Sequence, residues 1–123
     1  MKIPPSLREK KRYVIFDMLS DGKKIKERDL MDAIRSSGTS LIGSFGMSLC
    51  NMRMIKLNGR RGILRCSRGE LNKVRAVLTM VNNINGERVA IDIMGVSGSI
   101  KKATHKYFKD KRGDVDDGSS NGI

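Results

Sequence analysis

The sequence predicts an α+β sandwich: a four-stranded antiparallel sheet backed by helices, with an extra helix at its C-terminal end. Three observations predict it. Short apolar runs with period two alternate along the chain with stretches of helical spacing. The 123 residues, 38% of them hydrophobic, suffice for one core. No window approaches the roughly 18 consecutive apolar residues of a membrane span, so the chain reads as a cytoplasmic globular domain.

The elements follow in order. Residues 1 to 12 make a basic arm, in which Pro4 and Pro5 favour extended backbone. Tyr13 to Leu19 is β-branched and aromatic and reads as a strand, and Ser20-Asp21-Gly22 as a turn. A helix is expected near Glu27 to Ser36, ended by Gly38, with a second short helical turn carrying Leu41, Ile42 and Phe45. Arg53 to Leu57 alternates, Asn58-Gly59 begins a hairpin turn, and Ile63 to Cys66 returns as the partner strand. From Glu70 to Ile84, Leu71, Val74, Leu78 and Val81 recur at helical spacing, with Asn85-Gly86 as the stop. Arg88 to Met94 is the fourth strand. A last helix from Gly98 carries an apolar stripe of Ile100, Ala103, Thr104, Tyr107 and Phe108. Residues 13 to 110 thus form the domain. Residues 111 to 123, acidic and rich in Gly and Ser, read as a disordered tail. This β-α-β-β-α-β order is that of a ferredoxin-like sandwich with helices on one face.

Charge says what the domain meets. With 25 Lys and Arg against 13 Asp and Glu, the net charge is +12. Solubility needs only a few charges, whereas phosphate neutralisation releases condensed counterions, so a nucleic acid is the expected partner. The cations cluster. Arg8, Lys10, Lys11 and Arg12 sit in the arm; Arg60, Arg61, Arg65 and Arg68 lie in a stretch from Asn51 to Gly69 that contains no acid. Lys101, Lys102, His105 and Lys106 share the polar side of the last helix. Ser97 and Gly98 lead into that helix, where bare N–H groups suit phosphate. If Ile55, Leu57, Leu64 and Cys66 face the helices, Met54, Lys56, Ile63, Arg65, Arg88, Ala90, Asp92 and Met94 form an open face. A one-residue slip would reverse that sorting. Gly62-Ile63-Leu64-Arg65-Cys66 offers no aromatic for stacking bases, so the open Met and Ile residues are expected to contact protein instead.

Chemistry by the chain's own side chains is not expected. His105 is the single histidine, the acids are scattered, and no P-loop or nucleophile elbow is present. Cys50 and Cys66 lack metal-ligand spacing and read as free buried thiols. No cofactor or metal bound by the protein is predicted.

Three blocks carry a resemblance: PPSLREKKRY at 4–13, GILRC at 62–66 and GVSGSIKKA at 95–103, with the region Ala76 to Val89 between the last two. In this order and spacing they resemble the ribonuclease P protein component 2 family, the archaeal relative of a eukaryotic ribonuclease P and MRP subunit. The resemblance covers residues 4 to 108 and leaves out the tail. It implies an RNA-recognition-like fold and a subunit of the endoribonuclease that removes 5′ leaders from precursor tRNA. Hydrolysis would then belong to the RNA subunit and its bound magnesium. The implied partners are ribonuclease P RNA, precursor tRNA through the holoenzyme, ribonuclease P component 3 with two copies of each protein, and the other ribonuclease P proteins. The alternative from composition alone is a structural, ribosomal-type RNA-binding module without a role in tRNA processing.

Overall fold

The computed structural model describes residues 10–20 and 24–108. Of the predicted arm, only Lys10 and the first residues of a strand fall within that range. Arg8 and the predicted tail lie outside the described residues. The elements are β1 (Lys11–Ser20), α1 (Glu27–Cys50), β2 (Arg53–Asn58), β3 (Arg61–Ser67), a 3-10 turn (Arg68–Glu70), α2 (Leu71–Met80), β4 (Asn83–Ile84), β5 (Glu87–Ser97) and α3 (Ile100–Tyr107). The sheet is antiparallel, in the order β2-β3-β1-β5-β4.

The sheet has five strands rather than the predicted four. The fifth is the two-residue β4, paired with the start of β5 as Asn83↔Arg88 and Ile84↔Glu87. Asn85-Gly86, expected as a helix stop, is instead the turn of this hairpin. Both residues have positive φ, 53° and 84°, the pairing that a tight primed turn demands. The helix before it ends at Met80, where Val81 turns extended (φ −73°, ψ 115°) and buries its side chain in the core. Val81 and Ile84 keep their apolar partners without helical backbone, which is why the periodicity ran on past the helix.

Gly38 does not end α1. The helix runs through it to Cys50 with one kink at Gly43 (φ 79°, ψ 169°). Gly38 is buried because the Met47 side chain, from beyond the kink, lies where a Cβ would stand. The glycine serves close approach within a bent helix, not termination.

Helices cover both faces of the sheet, which corrects the expectation of one. On the inner face α1 and α2 bury Val14, Phe16, Leu64 and Cys66 together with Leu30, Ile34, Val74 and Leu78. On the outer face α3 lies over Ile15 and Ile63, burying Ala103 and Phe108 against them. Ile100, placed in the buried stripe from sequence, stays 41% exposed.

Two bulges set which residues face which way. Met54 pairs with Leu64 and Lys56 with Ile63, so Ile55 is the extra residue of β2. As a result Met54 packs on the inner core and Ile55 on the outer cluster, the reverse of the sequence expectation, while Leu57, Leu64 and Cys66 fall where expected. A second bulge between Ile15 and Phe16 leaves Met94 as the extra residue of β5. The open-face candidates therefore thin out: Ile63 is buried under α3 and Met54 faces inward, while Arg88, Ala90, Asp92 and Met94 are exposed.

Candidate nucleic-acid interface

Strand direction decides where the cations end up. β1 begins, and β3 and β5 end, at the same edge of the sheet, through Lys11↔Ser67 and Tyr13↔Ser97. This end gathers Lys10, Lys11, Arg12, Arg65, Arg68, Ser97 and Gly98, along with Arg53 at the start of β2. The Lys10 carbonyl accepts from the Arg68 amide at 2.8 Å, tying the incoming chain to the 3-10 turn. Arg12 is half-buried and donates through Nη1 to the Lys11 carbonyl at 2.9 Å. A Cβ on the exposed Gly98 would sit 4.0 Å from the same Nη1.

The acid-free stretch does not act as one patch. Arg60 and Arg61 lie at the hairpin end, and Arg61 is four residues along β3 from Arg65, or about 13 Å at strand rise. Arg60 is exposed, and its carbonyl accepts from the Met18 amide at 2.7 Å. Arg61 is committed to the fold. Its Nε and Nη2 donate to the two carboxylate oxygens of Asp17 at 2.8 and 3.1 Å, and its Nη1 donates to the Tyr107 carbonyl at 2.9 Å. This clasp joins β1, β3 and the C-terminal end of α3, leaving Arg61 little donor capacity for phosphate.

α3 presents its cations as the period required. Lys101, Lys102, His105 and Lys106 are all exposed, and the helix carries no acid. Ser99 caps the helix, its Oγ accepting from the Lys102 amide at 3.1 Å. The Ser97 hydroxyl is engaged by the same turn: it donates to the Ser99 carbonyl at 3.0 Å and accepts from the Ser99 amide at 3.3 Å. Lys106 Nζ stands 5.5 Å from the centre of the Tyr107 ring.

Two features of the structure were not apparent in the sequence. Tyr13 lies beside Arg65 on the outer face, half-buried, where only the strand register could place it. On the far side of the molecule, the second half of α1 exposes Leu41, Phe45 and Leu49 at spacings of four; Phe45 is 77% exposed. Next to them a shallow groove of about 280 Å³ is lined by Met31, Met47 and Met52 among others. An apolar surface of this kind marks a contact, and methionines adapt to what covers them.

The described residues include no group of three or more His, Cys, Asp or Glu that could hold a metal ion. Cys50 and Cys66 are free and buried. Burial, with Cys50 nearby, pushes the Cys66 thiol from 9.0 up to about 11, which keeps it protonated and poorly nucleophilic. Among the described residues, no helix is long and apolar enough to cross a membrane.

Comparison with known proteins agrees with the sequence resemblance. Residues 12–108 match the model of the Rpp14/Pop5 family. The chain is 36% identical over 110 residues to ribonuclease P protein component 2 of Methanosarcina mazei, covering 89% of this chain and 94% of that protein. It is 40% identical over 107 residues to the protein of the same name from Archaeoglobus fulgidus, covering 87% and 96%. Among solved structures, a chain of yeast ribonuclease MRP superposes with a TM-score of 0.65 over 85% of this chain and 95% of that one, at 11% identity. At that identity the match speaks for the fold alone.

Proposed function

The chain belongs to the Rpp14/Pop5 family, and from that premise we propose that it is a protein subunit of ribonuclease P, supporting the catalytic RNA as it removes 5′ leaders from precursor tRNA. One observation carries the reading: relatives named ribonuclease P protein component 2 match nearly their whole length at 36–40% identity. In this reading the hydrolytic chemistry, and the magnesium it uses, sit on the RNA. The protein binds no cofactor of its own. The exposed cations of α3 and of the neighbouring sheet end neutralise packed phosphates, so the RNA holds its folded core with less magnesium. Precursor tRNA is met through the assembled holoenzyme, in the cytoplasm.

Protein partners fit the opposite side. Component 3 and the other ribonuclease P proteins would use the exposed apolar stripe of α1 rather than the open sheet, since α3 takes much of that face. The arrangement as two copies of each protein belongs to this proposal too.

Reconstitution tests the reading. Omitting this chain from a mixture of ribonuclease P RNA and the remaining protein subunits should reduce 5′ maturation at limiting magnesium. Adding it back should restore the rate, and the purified chain without RNA should cleave nothing. Undiminished cleavage without the chain would support a general RNA-binding module instead.

A further inference from the structure

The cations on the outer face of β2 and β3 differ in what they touch. Arg61 is held by Asp17 and the Tyr107 carbonyl. Lys56 Nζ stands over the Phe108 ring, 4.5 Å from its centre. Among the described residues, Arg53 and Arg65 have no such partner. The register places them directly opposite each other, Arg53↔Arg65, with Tyr13 next in the row as Tyr13↔Arg65. Like charges directly opposite on antiparallel strands repel. Among the described residues the acids in ion pairs are Asp17, Asp32 and Glu70, and each pairs with a different cation. Arg65 Nε is also buried without a hydrogen-bond acceptor. A buried charged donor without an acceptor is costly, and this adds to the cost of the facing pair.

We propose that Arg53 and Arg65 grip a single phosphodiester group of the RNA backbone between them. The two forks would share its two non-bridging oxygens through their Nη groups, which relieves their mutual repulsion. Tyr13 walls the site on the β1 side. The Ser97 hydroxyl at the end of the row is already taken by Ser99, so the two guanidiniums supply the charged donors. The proposal rests on the ribonuclease P reading for the identity of the RNA, and it names the atoms that hold it.

The test is binding of full-length protein to ribonuclease P RNA across a range of salt concentrations, for wild type, Arg53→Gln, Arg65→Gln and the double variant. Each single variant should bind about tenfold more weakly, the effect of losing a charge-assisted contact. Its salt slope should fall by about one, the value for one phosphate. Because both residues serve the same phosphate, the double variant should be little worse than either single. A double variant weakened about a hundredfold would mean two separate phosphates and overturn the shared grip. Affinity and slope unchanged in the variants, with wild type binding and promoting cleavage, would overturn the grip and leave the functional reading standing. Wild type that neither binds the RNA nor promotes cleavage would overturn both. Arg53→Glu separates ligand binding from folding: it places a carboxylate opposite Arg65, so the free protein should melt higher while RNA binding falls below that of Arg53→Gln. Melting and binding that fall together would mark the pair as purely structural and overturn the site. Inorganic phosphate offers the last arm. Thermal stabilisation by phosphate that vanishes in the double variant, with RNA affinity intact, would make this a free-anion site and overturn the RNA assignment.

Discussion

Arg61 shows why charge composition overstates an interface. It lies in a stretch without a single acid, yet its guanidinium meets Asp17, 44 residues earlier in the chain, and the Tyr107 carbonyl, 46 residues later. With side chains only 26% and 18% exposed, the Arg61–Asp17 pair is shielded enough for its geometry to count. Arg61→Met should therefore cost about 2 kcal/mol of stability, measured by urea denaturation. Arg61→Lys should recover less than half, because an ammonium cannot span both carboxylate oxygens and the carbonyl. Equal stability of wild type and Arg61→Met would show that the clasp is ornamental. From sequence, Arg61 and Arg65 look alike; what separates them is the strand register, which no local pattern records. His105, Lys101 and Lys102, by contrast, were legible as exposed, because helical spacing beside Ala103 and Phe108 leaves them no other place.

At the level of elements, the strands and α2 were legible because burial imposes their period. The kink in α1 and the β4 hairpin were not, because each turns on glycine-containing backbone whose role depends on distant packing. Gly38 reads locally as a stop, but its place is set by Met47 folding against it, and Asn85-Gly86 suits a stop or a turn equally well. The bulge at Ile55 had the same effect on the sheet, exchanging the faces of Met54 and Ile55 relative to strict alternation. The second half of the bent α1 leaves Leu41, Phe45 and Leu49 exposed, the stripe proposed above to take a protein partner. A phenylalanine 77% exposed contributes little to the core, so Phe45→Ser should change stability by no more than about 0.5 kcal/mol. The same variant should weaken association with component 3 at least tenfold in a pull-down or calorimetric titration, while RNA affinity of the free subunit stays the same. Unaltered association would move the protein interface elsewhere.

Over the whole molecule, the cations of the described strands divide between the two ends of the sheet. The sheet end bearing Lys10, Lys11, Arg12, Arg53, Arg65 and Arg68 adjoins the start of α3, whereas Arg60 sits at the far hairpin. Lys101→Ala combined with Lys102→Ala should flatten the salt dependence of RNA binding by about two charges, read from the slope of log affinity against log salt. Arg60→Ala should change the slope by less than one; a larger change there would extend the interface around the molecule. The sheet order also sets a timetable for biosynthesis. β1 is the central strand, yet one of its neighbours is β5, paired through Tyr13↔Ser97 and Ser20↔Val89, near the end of the described chain. A nascent chain emerging from the ribosome thus carries β1 with one edge bare until nearly everything else has been translated. A message truncated before codon 87 would yield a product with helices and a hairpin but an open central strand, a template for aggregation and a natural substrate for proteolysis.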